Sequence, residues 1–283
     1  MNPVYPVYVV SKGRWESRKT ARALDKIGVD YKVVIEPQES DAYAAVIPIH
    51  RLLILPFRDR GCSVPARNWI WNHAVLSGAH RHWILDDNIS GFFRLNRNLK
   101  TPVGDGTIFR AAEEFVDRFE NVAEAGFNYF MFAPRKVAVP PLYLNTRIYS
   151  CILLKNDIPF RWRGLSNEDT DLSLRILKAG WCTVLFNAFL AFKQTTMTMK
   201  GGNMDGIYSG VNDQRLSITL ALQRQHPDVV KVTRKWGRWQ HHVDYSQFSS
   251  NRLKPKLGAK VEAGTNDFGM RLQQHTDGGW EDR

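Results

Sequence analysis

Over its first 95 residues the chain alternates short apolar runs with segments of helical spacing, and this rhythm restricts its fold more than any other feature. "PVYVV" at 6–10 reads as a first strand, followed by a helical segment at 16–27 with Thr20, Leu24 and Ile27 on one face and Gly28 as the stop. "YKVVIEP" and "RLLILP" read as the second and third strands, "ARNWIWNHAVLSGA" as a helix, and "HWIL" as the fourth strand. Strands separated by helices predict an α/β domain with a mostly parallel sheet covered by helices. After about residue 100 the pattern becomes mixed: strands at "NYFMFAP" and "RIYSCILLK", a strongly marked helix at "NEDTDLSLRILKAG", then two short strands, "CTVLF" and "AFLAFK", before a Gly-rich loop, "MKGGNMDG".

Open parallel sheets bind ligands beyond the carboxyl ends of their strands. That rule places Ser11 to Arg14, Glu36, and Asp86-Asp87-Asn88 on one rim. Two adjacent carboxylates at a strand end repel each other unless a cation or hydrogen-bond donors balance them. Mg²⁺ or Mn²⁺, which take oxygen ligands together with substrate phosphates, would do so; the plainer reading is a strand-terminal turn, for which Asp and Asn are ordinary residues. Arg67 and Asn68 open a helix, where a guanidinium, an amide and free N–H groups can face an anion, or simply solvent. Lys12, Gly13 and Arg14 form a turn that could cradle phosphate, and Glu36 could bind a hydroxyl or merely end its strand.

Glu168 and Asp169 fall in the first turn of the helix at 167–180, where acids suit the helix dipole and Ser166 to Asp169 has the spacing of a capping pair. A carboxylate held there could also take a proton from an acceptor hydroxyl. His241-His242 could supply a metal ligand or lie inert on the surface. Residues 224–260 carry nine Lys or Arg against two acids, and Arg234, Lys235, Trp236, Arg238 and Trp239 could grip phosphate and stack on bases, or belong to the core.

Thirty-nine Lys and Arg against 28 Asp and Glu give a formal charge of +11 and a pI near 9.7, which favours a polyanionic partner such as nucleic acid. Three scattered cysteines argue against a disulfide framework or zinc knuckle and fit a reducing cytoplasm. The first residues lack a signal peptide's basic start and apolar run, no stretch reaches membrane-spanning length, and the Asn88-Ile89-Ser90 sequon is read as chance.

Taken in order, "VSKGR", "VVIEP", "ARNW", "WILDDN" and "NEDTDLSLRILKAGW" resemble the nucleotide-sugar glycosyltransferases of the GT-A fold, and the wording of "SKGR", "ARNW" and "WILDDNI" resembles the TET-associated glycosyltransferases of bacteriophages. The resemblance spans about residues 5–200 and implies a core over 1–200 with a basic C-terminal extension over 201–283. It implies transfer of a sugar from a UDP-sugar onto 5-hydroxymethylcytosine in phage DNA, in the cytoplasm of an infected host and with no membrane partner. Ser11, Lys12, Gly13, Arg14, Glu36, Arg67 and Asn68 would hold the donor, with Asp86 on ribose or uracil. Asp87 would bind Mn²⁺ or Mg²⁺ with Asn88, which stands where that fold usually has an aspartate, and with His242 or, in second place, His241. Asp169 would be the base of an inverting reaction and Glu168 would orient the acceptor. A nucleotidyltransferase of similar fold and a non-catalytic basic DNA-binding protein are the alternatives.

Overall fold

The structure is a computed structural model that describes residues 1–58, 62–96, 98–134, 137–194 and 214–259. Its elements in order are β1 (Val7–Val10), α1 (Lys19–Lys26), β2 (Lys32–Ile35), α2 (Ser40–Ala44), β3 (Leu52–Ile54), α3 (Val64–Leu76), β4 (Arg81–Asp86), β5 (Ile89–Asn96), β6 (Leu99–Pro102), α4 (Thr107–Val116), β7 (Val122–Tyr129), β8 (Leu142–Leu144), β9 (Cys151–Lys155), α5 (Glu168–Lys178), β10 (Cys182–Lys193), α6 (Arg215–Gln225), β11 (Val230–Lys235) and β12 (Arg238–Val243). The first ten strands form one mostly parallel sheet in the order β3-β2-β1-β4-β9-β7-β10-β5-β6, with β8 pairing β10. β9 runs antiparallel between β4 and β7.

Strand periodicity explains why helices cover both faces. Val7, Val9, Trp83 and Leu85 point into a core with α1 and α4, while Tyr8 and Ile84, one residue out of phase, point into a second core with α3 and α5. β4 is therefore apolar at Trp83, Ile84 and Leu85 without alternation, as a strand buried on both faces must be.

The order β3-β2-β1-β4 reverses direction between β1 and β4, which are parallel neighbours with Val10 opposite Asp86. This is the switch point where the loops after two adjacent strands diverge and leave a crevice. Ser11 and Asp87 are the first residues beyond those two strands. Thr20 fixes the turn on the β4 side: its buried hydroxyl donates to the Asp86 carbonyl at 2.6 Å and accepts from the Ile89 amide at 2.9 Å.

Two sequence expectations change. "CTVLF" and "AFLAFK" are one strand, β10, whose pairing with β7 shifts register between Phe186 and Leu190. The polar break at Asn187 is a bulge rather than an end, because its amide N–H is satisfied by the Pro141 carbonyl and its side chain by Asn128 and Pro140. The capping pair at Ser166 is absent: α5 starts after Asn167, which takes a left-handed φ of 56° and makes no side-chain cap. α5 ends as expected at Gly180, whose φ of 83° lets its own N–H reach Leu177 and that of Trp181 reach Ile176. The loop "MKGGNMDG" lies outside the described residues. The β5–β6 hairpin, α4 and the β11–β12 hairpin were not foreseen.

Behind α5, Leu174 and Leu177 pack with Leu222, Val229, Val230 and Phe248 in a third cluster. Asp171 secures the same joint, accepting from His226 at 2.9 Å, from Arg163 at 2.8 Å and from Arg175 at 2.8 Å. The base of the β11–β12 hairpin is thereby fastened to α5.

Candidate active site

A cavity of about 790 Å³ opens beyond the carboxyl ends of β1, β2 and β4. Its lining includes Ser11, Lys12, Arg14, Glu36, Arg67, Asp86, Asp87, Asn88, Glu168, Asp169, Lys193, Trp239, His241 and His242. Residues from the strand rim, from α3, from α5 and from β12 are thus brought together across the whole length of the chain.

Each aspartate of the pair has its own counter-charge. Asp86 accepts from Arg67 at 3.1 Å on Oδ1, and from Ser150 at 2.7 Å and Lys193 at 2.8 Å on Oδ2. Burial opposes its ionisation, but the charges of Lys193 and Arg67 outweigh it and hold the carboxyl far below the usual range. Lys193 responds in the opposite sense, its ammonium held on by Asp86 against the effect of burial. Asp87 accepts from Ser11 at 2.9 Å and is ion-paired to Arg14. Here burial prevails over Arg14, and the carboxyl is pushed up.

Around this pair the rim is cross-braced. Lys12 Nζ meets Glu36 at 2.5 Å, and the Gly13 N–H donates to Glu39 at 2.8 Å. Gly13 shapes the loop rather than lining the cavity.

The second acidic group faces the first. Arg67, only 5% exposed, donates through Nη2 to Asp86 and through Nη1 to Asp169, and lies over the Trp162 ring at 5.3 Å. Asp169 also accepts from the Trp162 indole at 3.2 Å. Burial raises the Asp169 carboxyl to about 7, with Arg67 pulling down and the negative charges of Glu168 and Asp86 pushing up. A carboxylate with that value is suited to take up a proton near neutrality. Glu168 accepts from Ser63 at 3.0 Å. Asn68 does not line the cavity; its amide exchanges two hydrogen bonds with the Trp162 backbone, at 2.9 and 3.0 Å, and so holds the tryptophan that orients Asp169.

Trp239, His241 and His242 come from β12 and form the opposite wall, while Arg234, Lys235, Trp236 and Arg238 stand exposed towards the far end of the same hairpin. His241 is driven toward the neutral form by burial, helped by the charges of Arg147 and His242.

A divalent ion needs several oxygen ligands, normally with at least one carboxylate free to face it. Among the described residues no group of three or more His, Cys, Asp or Glu side chains could hold a metal ion. Asp86 and Asp87 are engaged by cations and hydroxyls, while the Asn88 Oδ1 is buried and without a hydrogen-bond partner, a neutral oxygen that cannot make a site alone. Asp87, Asn88 and His242 as arranged do not fit the ion.

Crevice, paired acids and a raised carboxyl on α5 are the parts a group-transfer enzyme needs, and comparison with known families decides which. The profile of the TET-Associated Glycosyltransferase family matches residues 5–202. The chain belongs to that family. It is a glycosyltransferase, and every residue of the rim, Arg67, Lys193 and Asp169 lie inside the matched span. No protein of curated function matches the transferase. Among its described residues no helix is long and apolar enough to cross a membrane.

Sequence reasoning missed Lys193, Ser150 and Trp162. A cue existed for Lys193, a lone cation closing the apolar run "AFLAFK" much as Asp86 closes "HWIL". Trp162, reached through Asn68, had none.

Proposed function

We propose that this transferase moves a sugar from a UDP-sugar onto the hydroxymethyl group of 5-hydroxymethylcytosine in DNA, on a GT-A-type core. The observation that carries the reading is Asp169: a carboxyl raised to about 7, in the cavity wall, bound to the same guanidinium as the strand-end aspartate.

Asp169 takes the proton from the acceptor hydroxyl as its oxygen attacks the anomeric carbon; the bond from that carbon to the diphosphate breaks, and UDP departs with the electron pair. Attack from the face opposite the leaving group inverts the carbon. The donor lies across the rim, its diphosphate near Lys12 and Arg14 and its nucleoside near Glu36, Asp86 and the Asn88 side-chain oxygen. Glu168 orients the acceptor. The Mn²⁺ or Mg²⁺ expected from the paired aspartates lacks a set of ligands in this arrangement among the described residues.

The DNA partner is supported by the charge of +11 and by the basic hairpin that carries Arg234, Lys235 and Arg238 beside the cavity. Phage DNA in an infected bacterial cell is the setting this implies. The test is mass spectrometry of nucleosides after incubating the protein with hydroxymethylated DNA and a panel of nucleotide sugars. A hexose adduct on hydroxymethylcytosine with the wild type and none with Asp169→Asn supports the reading; unmodified nucleosides with every donor removes it.

A further inference from the structure

The turn of the β11–β12 hairpin is built against local preference. Lys235 pairs with Arg238, so the loop is Trp236-Gly237, with φ of 49° and 73°. Two residues with positive φ between paired strands make a type I′ turn, whose first position calls for Asn, Asp or Gly. A tryptophan there is strained, and it gains nothing from packing, because its ring is 86% exposed. Local conflict without a compensating contact marks a residue kept for function.

Its surroundings say which function. Lys231, Arg234, Lys235 and Arg238 are exposed on the hairpin, and no acid occurs between Val230 and Val243. Trp239, in β12 three residues after the turn residue Trp236, lies in the wall of the catalytic cavity, with the Arg234 guanidinium over its ring at 5.7 Å. The hairpin therefore joins an exposed indole, a cluster of exposed cations and the wall of the chamber that holds Asp169.

We infer that Trp236 is a wedge: it enters the base stack of duplex DNA beside the target, while Arg234, Lys235 and Arg238 grip the flanking phosphates, and the unstacked base swings into the cavity against Trp239. The inference rests on the DNA reading above. A base inside a duplex is out of reach of a recessed carboxylate, and apolar side chains inserted between base steps are a recurrent means of unstacking them. Trp236 acts on the duplex and not on the reacting atoms, so it is a positioning residue.

The experiment compares the full-length wild type with Trp236→Ala and Trp236→Phe on three substrates: 5-hydroxymethylcytosine in a matched duplex, opposite an abasic site, and in a single strand. Transfer is read by nucleoside mass spectrometry, and unstacking by the fluorescence of 2-aminopurine placed next to the target. Trp236→Ala is expected to lose about tenfold or more on the matched duplex, the scale of one stacking contact, together with the fluorescence rise, and to match the wild type on the other two substrates. Trp236→Phe should recover most of the duplex activity. Equal losses on all three substrates, no loss on the duplex, or a wild type active on single strands alone would overturn the wedge. A wild type inactive on every substrate would instead overturn the DNA reading, and the wedge with it.

Discussion

Asp86 and Asp169 are bound to the two terminal nitrogens of one guanidinium, that of Arg67. The donor side and the proposed base are thus held by the same buried cation. Replacing it with Met leaves both acids short of a partner in a buried setting, which costs about 3–5 kcal/mol for a charge stranded in this way. It also removes the influence that lowers the Asp169 carboxyl. Arg67→Met is expected to lower stability by that order in urea denaturation, and to move the acidic limb of the pH–rate profile upward from about 7. An unshifted limb would separate Arg67 from the base.

Asp169 must be ionised to accept a proton, and burial raises it to about 7. The transfer rate should therefore climb as pH increases through that value and level off above it. Asp169→Asn is expected to keep donor affinity in calorimetry while losing about 10²- to 10⁴-fold in kcat/KM. Undiminished transfer would end its assignment as the base.

Asp171 governs acid stability. Burial opposes its charge, but hydrogen bonds from His226 and Arg163 and the charge of Arg175 win, and the carboxyl falls to about 2. A depressed folded value contributes stability above the unfolded value of about 3.9, and that contribution is lost as pH falls from there through about 2. Asp171→Ala should cost about 3 kcal/mol at neutral pH and flatten this acid limb in equilibrium unfolding.

Glu124 works in the other direction. It is fully buried on β7, and burial keeps its carboxyl well above the ordinary value despite the 2.8 Å hydrogen bond from Ser173. The unfolded side chain ionises near 4.3, so the folded state binds the extra proton and stability declines as pH rises past that point. Glu124→Gln keeps the shape without the titration. Its Tm should match the wild type near pH 4 and exceed it at pH 8; parallel Tm curves would contradict the account.

Because Lys193, Arg67 and Arg14 already face the two strand-end aspartates, EDTA is expected to leave UDP affinity unchanged in calorimetry. A marked gain on adding Mn²⁺ would mean that Asp87 leaves Arg14 to meet the ion.

The strand-end rim was legible in the sequence because both of its causes are local: apolar runs that stop abruptly, and polar residues directly after them. Asp86, Asp87, Lys12 and Arg14 are all of this kind. Asp169 was visible for the same reason, as an acid opening a well-marked helix. Its partnership with Arg67 was not, since those residues are 102 apart in the chain and meet only when α3 and α5 pack on one face of the sheet. The Asn68 clamp on Trp162 was hidden likewise. α4 was readable and overlooked: Ile108, Ala112 and Val116 recur at four-residue spacing and are all buried. β10 misled because a buried asparagine looks like a turn until the carbonyls that satisfy it are in place.

α5 carries Asp169, the proposed base, at its first turn, while its rear surface is bolted by Leu174, Leu177 and Asp171 to the segment that supports the β11–β12 hairpin. Force applied to the hairpin by a bound polymer would therefore reach the helix bearing Asp169, because Val230, the first residue of β11, belongs to the same cluster as Leu174 and Leu177. In the proposed reaction, seating the acceptor and aiming the proton-abstracting group would be one mechanical event.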